Sequence, residues 1–277
     1  MNHQNTLTDR VALGRHRERS KTRFEPATFL HEEAILDIQE RLSLVNKEFK
    51  KPAIVTGWAE IWQNVVPNSA IVADSETLDL AVGQYDLVIH AMSLHWANDP
   101  VGQLIQCRRA LQPDGFFMCV LFGGQTLSEL RAVLAEAETE ILGGLSPRVA
   151  PMGEIRDLGG LMQRAGFALP VADSQTLTAS YFNMTALMHD LRAMGETNAL
   201  TARIRTPSNR TIFETATKRY KSAFPAEQNR IAATFELIYL AGWAPDDSQP
   251  QPLRPGSATA RLSDVLGTSE IKLDPSS

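Results

Sequence analysis

The feature that most constrains this chain is a pair of short, mostly apolar runs, Tyr85 to Ala91 and Phe116 to Phe122, with a stretch of helical spacing between them. A strand that is apolar on consecutive residues is buried on both faces, the setting of a parallel sheet covered by crossover helices. The intervening helix has its start written in: Asp99 caps free N–H groups and Pro100 suits the first helical position. Val101, Leu104, Ile105, Arg108 and Leu111 continue its face, and Pro113-Asp114-Gly115 breaks it. Upstream, Ala53 to Thr56 reads as a strand, Ala59 to Val66 as a short helix and Ala70 to Ala73 as a strand. Strand, helix, strand, helix with buried strands predicts a doubly wound α/β fold with a mostly parallel sheet.

On either side of this unit the periodicity is helical. From Phe29, apolar residues recur at Leu30, Ala34, Ile38, Leu42, Val45 and Phe49, an amphipathic helix of about five turns. After Gly123-Gly124, Thr126 and Glu129 have capping-box spacing, ahead of a stripe of Leu127, Leu130, Leu134, Ala137 and Ile141. Further helices are expected near 155–165, 184–194 and 211–224, and a late strand at 236–241 within the apolar stretch from Ile231 to Trp243. The expected organisation is a basic N-terminal arm (1–28), a main domain (29–244) with inserted cap helices at about 143–165 and 183–224, and a Pro-rich tail (245–277).

With 277 residues and 43% hydrophobic content, the chain has enough material for a substantial core. A net charge of −5 argues against a protein that coats nucleic acid or an acidic membrane. The exception is local: Arg10, Arg15, Arg17, Arg19, Lys21 and Arg23 face only Glu18. That run reads either as a solvated helix face or as a docking segment for an acidic protein through Arg15, Arg17 and Arg19. Cys107 and Cys119 have no CxxC spacing, which excludes a zinc ribbon and a disulfide framework. No opening h-region and no run of roughly 18 apolar residues is present, so no membrane span and a cytoplasmic location are expected.

In an open parallel sheet, ligands bind beyond the carboxyl ends of the strands. The residues there are Thr56-Gly57-Trp58-Ala59, Asp74-Ser75, Ala91-Met92-Ser93-Leu94-His95-Trp96 and Gly123-Gly124. His95 and Trp96 read as a general base and a stacking surface for a substrate, or as a packed pair closing the sheet edge. His90, inside a strand, reads as a core histidine. Arg203, Arg205 and Arg210 read as an exposed basic loop or an anion clamp, and Tyr181 and Trp243 as covers of the pocket. No HxxxH, HExxH or paired CxxC spacing marks a metal site.

Three stretches carry a resemblance: Tyr85-Asp86-Leu87-Val88-Ile89, Ser93-Leu94-His95-Trp96-Ala97-Asn98-Asp99 and Arg108-Arg109-Ala110-Leu111-Gln112-Pro113-Asp114-Gly115. They resemble the class I S-adenosylmethionine-dependent methyltransferases. The branch is that of the malonyl-carrier-protein O-methyltransferase of biotin synthesis and the respiratory complex I assembly factor described as an arginine hydroxylase. Gly123-Gly124-Gln125-Thr126-Leu127 and Met194-Gly195-Glu196-Thr197-Asn198 resemble blocks of the assembly-factor subgroup, and the similarity runs over about residues 8 to 262. The resemblance implies a Rossmann-like fold and S-adenosylmethionine as cofactor. It implies contacts at Thr56, Gly57, Asp74, Ser75, Ala91 and Met92, and a small-molecule or protein acceptor.

Two departures bear on the cofactor. The loop after the first strand holds one glycine where the family has a glycine-rich cradle, and the second-strand acid that binds the ribose is missing with its βα unit. On the resemblance, Asp74 then matches the adenine-side acid of the family's third strand. Each charge-assisted hydrogen bond contributes roughly 1.5–3 kcal/mol, so the losses imply cofactor affinity lower by two or more decades, or none. The function implied is a methyltransferase-like protein with a degenerate cofactor loop; the alternative is a non-catalytic or hydroxylase-type assembly factor for respiratory complex I.

Overall fold

The computed structural model describes residues 6–23, 27–250 and 267. Among the described residues, those up to Pro245 form one compact unit, and 246–250 and 267 fall in a second. Of the Pro-rich tail, most positions lie outside the described residues.

In the first unit the expected alternation forms as read. The strands of the parallel part are β1 (Pro52–Thr56), β2 (Ala70–Ala73), β3 (Tyr85–Ala91) and β4 (Leu111–Phe122). Two antiparallel partners, β5 (Ala168–Tyr181) and β7 (Arg230–Trp243), complete the main path, and the two-residue β6 (Pro225–Ala226) pairs with β7. The order is β2-β1-β3-β4-β7-β5, with β1, β2, β3 and β4 parallel and β7 antiparallel to both β4 and β5. The helices are α1 (Arg10–Arg23), α2 (Phe29–Leu44), α3 (Ala59–Trp62), α4 (Pro100–Ala110), α5 (Ser128–Leu142), α6 (Ile155–Arg164), α7 (Met184–Ala193) and α8 (Arg210–Ala223).

Side chains alternate across each strand, so the sheet feeds two cores. Ile54, Leu87, Ile89, Met118 and Val120 pack with α2, α5, α7 and α8 on one face. Ala53, Val55, Val88, Phe117 and Cys119 pack with α4 and α6 on the other. Both cysteines are buried and free, and burial pushes their thiols well above the ordinary range. No helix among the described residues is long and apolar enough to cross a membrane.

Four expectations change. The N-terminal segment is not a separate arm: α1 packs on the domain through Ala12 and Leu13, against Trp96, Ala199 and Leu200. α2 stops at Leu44 rather than Phe49. The Thr126–Glu129 capping box does not form, because Leu127 caps α5 in a left-handed conformation (φ 55°) with no side-chain cap bond. Thr126 instead exchanges hydrogen bonds with the Glu236 backbone, and the Glu129 carboxylate accepts from Thr234, so both staple α5 to β7. β5, a strand not among those expected, carries mainly polar and small residues, because it is an edge strand whose side chains are only half-buried or exposed.

Pro113-Asp114-Gly115 does not end an element as expected. It sits inside β4, where Asp114 takes φ 55° and the register with β3 shifts.

Phe117 is fully buried and stacks on Phe167 with ring centroids 4.7 Å apart. Truncating it leaves a cavity, so Phe117→Ala is expected to lower unfolding free energy by ~3–5 kcal/mol in urea titration. Val11→Ala, at a site 65% exposed, is expected to move it by less than about 0.5 kcal/mol.

Candidate functional site

The carboxyl ends of β1, β2 and β3 meet at one edge, and the groups there are tied to one another. Past β1, the Thr56 hydroxyl accepts from the Trp58 backbone N–H at 3.1 Å. The Gly57 N–H donates to the Ser93 hydroxyl at 3.1 Å, which itself donates to the Ala91 carbonyl at 2.9 Å. Past β2, Asp74 is buried, although Ser75 beside it is exposed and its carbonyl accepts from Gln103. Because β2 pairs directly with β1, Asp74 ends the strand next to the Gly57 loop.

Asp74 is not free. Arg17 Nη1 donates to its two carboxylate oxygens at 2.9 and 3.0 Å, and Arg10 Nη2 donates to its carbonyl and lies 3.3 Å from Oδ2. The Arg17 guanidinium lies so close over Gly57 that a Cβ at that position would overlap it. The helical period explains this: Leu13, Arg17 and Ser20 fall on one stripe of α1 and are buried, while Arg15 and Arg19 face outward. The reading of Arg15, Arg17 and Arg19 as one docking surface is therefore corrected, with Arg17 on the opposite face. The side chain of Arg23 lies outside the described residues.

A second constellation surrounds Glu196. The loop after α7 turns at Gly195 (φ 74°), where a Cβ would come within 2.7 Å of the Trp58 ring and 3.3 Å of Arg17. Glycine is needed there for both the dihedral and the approach. Next to it, the Glu196 carboxylate accepts from Trp96 Nε1 at 2.8 Å and lies 3.4 Å from His95 Nε2. Burial pushes this carboxyl upward, but the His95 and Trp96 hydrogen bonds and the Arg17 charge outweigh it and hold it below the usual range. His95 also packs on Phe122, ring centroids 4.9 Å apart. His95 and Trp96 thus hold a carboxylate, an arrangement between the two roles the sequence left open.

Glu196 and Trp96 open on a cavity of about 250 Å³ whose wall includes Phe122, Leu130, Met152, Met188 and Phe235. Arg148 and Arg192 also border it. Arg148 is neutralised by Glu138, 2.8 Å away, and Arg192 is exposed.

Several expected site residues lie elsewhere. Ala91 and Met92 are buried in the main core rather than lining a ligand space. Gly123 and Gly124 make room for the protein's own carboxylates, Glu236 and Glu154, which a Cβ would overlap. Arg203 and Arg205 pair with Asp9 at the start of α1, and Arg210 pairs with Glu214. Trp243 packs at a tilt on Phe116 at the opposite end of β4, and the Tyr181 hydroxyl donates to Asp190. His90 is fully buried, its Nε2 2.8 Å from Gln103 Oε1. Glu196 is the residue that reasoning from strand ends missed, since it follows a helix and meets the edge through space; its signal was the Met194-Gly195-Glu196-Thr197-Asn198 block. Among the described residues, no three His, Cys, Asp or Glu side chains group as a metal would need.

A profile described as a methyltransferase domain matches residues 37–119. A mitochondrial arginine-hydroxylase, NDUFAF5, of Dictyostelium discoideum is 44% identical over 67% of this chain and 43% of its own length. Its Danio rerio namesake is 36% identical over 76% of this chain and 65% of its own length. A malonyl-[acyl-carrier protein] O-methyltransferase of Xylella fastidiosa is 34% identical over 66% of this chain and 59% of its own. The chain thus spans less than two thirds of each of these relatives. A crystal structure of a Bacillus halodurans protein described as a methyltransferase superposes with a TM-score of 0.49 at 14% identity, covering 76% of this chain and 99% of that one.

Two buried histidines contribute to the pH response. Burial lowers His31, whose Nδ1 accepts from Trp62 Nε1 at 3.0 Å, to about 4, and likewise His90 to about 4. Unfolded histidine titrates near 6.5, so the unfolded chain takes up these protons first. Their contribution to stability is complete above pH 6.5 and falls as pH drops towards 4, by up to about 3 kcal/mol per histidine. Urea midpoints from pH 7 to 4.5 should decline accordingly, and by less in His90→Gln; a flat series sinks the assignment.

Proposed function

The chain belongs to the class I S-adenosylmethionine-dependent methyltransferase family, and from that membership we propose that it works as an assembly factor of the respiratory complex I type, seating a basic side chain of a protein client beside Glu196. The observation that carries this reading is an ionised, largely buried carboxylate bordering an apolar cavity of about 250 Å³. A lysine or arginine matches such a site in both parts, its stem against apolar walls and its head on the carboxylate. Arginine is the group in the name of two relatives, each matched over part of its length. His95 and Trp96 act as positioning residues, holding Glu196 ionised and aimed.

Methyl transfer from S-adenosylmethionine is the second reading that the family brings. The residues at the strand edge do not fit that cofactor as they stand: Gly57 is covered by a guanidinium and Asp74 is engaged by two arginines. No step is therefore routed through it, and weakened or lost cofactor binding is part of the proposal. Arg15 and Arg19, on the outward face of α1, are retained as a proposed contact for an acidic protein partner.

NMR titration with a capped Gly-Arg-Gly peptide and its citrulline counterpart tests the reading. The arginine peptide should shift resonances of the cavity wall, and Glu196→Gln should weaken it about tenfold, as should citrulline in the wild type, from the loss of one charge-assisted contact. Equal affinity of wild type and variant, or of the two peptides, overturns it.

A further inference from the structure

The contact between α1 and the end of β1 has the form of an occupant in a site. Arg17 is 9% exposed in its side chain and is paired to Asp74 through Nη1, yet its Nε and Nη2 are buried with no hydrogen-bond partner. A guanidinium has five donors, and a buried one left partly unpaired makes the seated state less favourable than its ion pair suggests. The helix that carries it is lightly held by apolar contact, with Ala12 and Leu13 its buried apolar residues and Val11 65% exposed. The remaining ties are polar: backbone bonds of Leu7 and Asp9 to Thr201 and Ala199, Thr8 N–H to Asn98 Oδ1 at 2.8 Å, Asp9 to Arg203 at 3.0 Å, Arg10 to Asp74, Glu76 and the Trp96 carbonyl, Ser20 to the Ala193 carbonyl, and Lys21 to Glu60 at 3.4 Å. Gly14, in mid-helix with open space around it, weakens the helix further. An element with few buried apolar contacts belongs to the low-stability end of a fold and opens locally before the core does.

We propose that α1 is a strap that closes the cofactor edge of the sheet, with Arg17 as its internal occupant, so that an adenosine-bearing thioether or sulfonium enters only when α1 lifts. The identification of this edge rests on the family membership above, as the Glu196 reading does, but the two readings concern different ligands and are tested separately. The geometry gives the exclusion directly. A ligand approaching the Gly57 backbone and the Asp74 carboxylate meets atoms already in van der Waals and hydrogen-bond contact with both. Lifting α1, which carries both Arg17 and Arg10, frees the approach to Gly57 and the carboxylate in one motion.

Hydrogen exchange and calorimetric titration with S-adenosylhomocysteine test this on the full chain. Arg17→Ala and Asp74→Asn should each raise exchange across residues 10–20 by about tenfold or more while β3 and β4 stay protected, since each breaks the tie that seats the helix. Arg17→Ala should also bind S-adenosylhomocysteine at least about tenfold more tightly than the wild type. Unchanged exchange in residues 10–20 in both variants overturns the strap. Raised exchange without a gain in binding overturns Arg17 as the excluding group, and micromolar binding by the wild type overturns the closure. Should Arg17→Ala lose protection in β3 and β4, Arg17→Met, which removes the charge and keeps apolar bulk, takes its place in both measurements under the same criteria. A failure of the Glu196 peptide titration leaves these outcomes unaffected.

Discussion

The Arg17–Asp74 ion pair fixes the arrangement at the working edge of this sheet. It is buried on both sides, with side-chain exposures of 9% and 8%. Removing either partner from such a pair leaves an uncompensated buried charge, which is far less favourable than losing a surface bridge. Its geometric reach is wide. Arg17 seats α1 over the Gly57 loop, and its stem packs where Gly195 turns, so the position of Glu196 depends on the same contact. Arg17 thus touches the end of β2, the loop after β1 and the loop after α7 from one helix, which Arg10, Asp9 and Ser20 tie down further.

This arrangement treats two regions of the sheet edge differently. At the β1–β2 end, the polar groups of the edge are satisfied by the chain itself: Thr56 by Trp58, Gly57 by Ser93, Asp74 by Arg17 and Arg10. At the β4–β7 end, the space between the sheet and α5, α7 and α8 is left as a cavity with one carboxylate on its wall. The two regions touch through Glu196, whose ionised form is favoured by Arg17 from one side and by His95 and Trp96 from the other. The carboxylate on the cavity wall and the filled β1–β2 edge thus share one electrostatic neighbourhood.

Much of the architecture was legible because its causes are local. The runs at 85–91 and 116–122, the Asp99-Pro100 helix start and the stripe from Leu30 to Ile38 produce β3, β4, α4 and α2 whatever surrounds them. β5 was not legible, since an edge strand needs neither two apolar faces nor strict alternation, and its 14 residues are fixed by pairing with β7. The capping box at Thr126 and Glu129 failed for the opposite reason: a correct local pattern was outbid by tertiary partners on β7. Glycines misled in the same way, because Gly123 and Gly124 accommodate internal carboxylates rather than a ligand.

By itself, the sequence determined the class of fold, the parallel core of the sheet, the thinness of the glycine loop and the residues that stand at the strand ends. Periodicity, strand length and loop composition act over a few residues, and those terms are written directly in the chain. The tertiary structure decided what the strand-end residues do. It turned Arg17 inward and left Arg15 and Arg19 outside, occupied Asp74, made His95 and Trp96 partners of Glu196, and placed that carboxylate on a cavity wall. Those outcomes depend on contacts between residues 57 and about 100 or more positions apart. No local pattern carries such contacts, because they are set by which helix face meets which end of the sheet once the cores on both faces have formed.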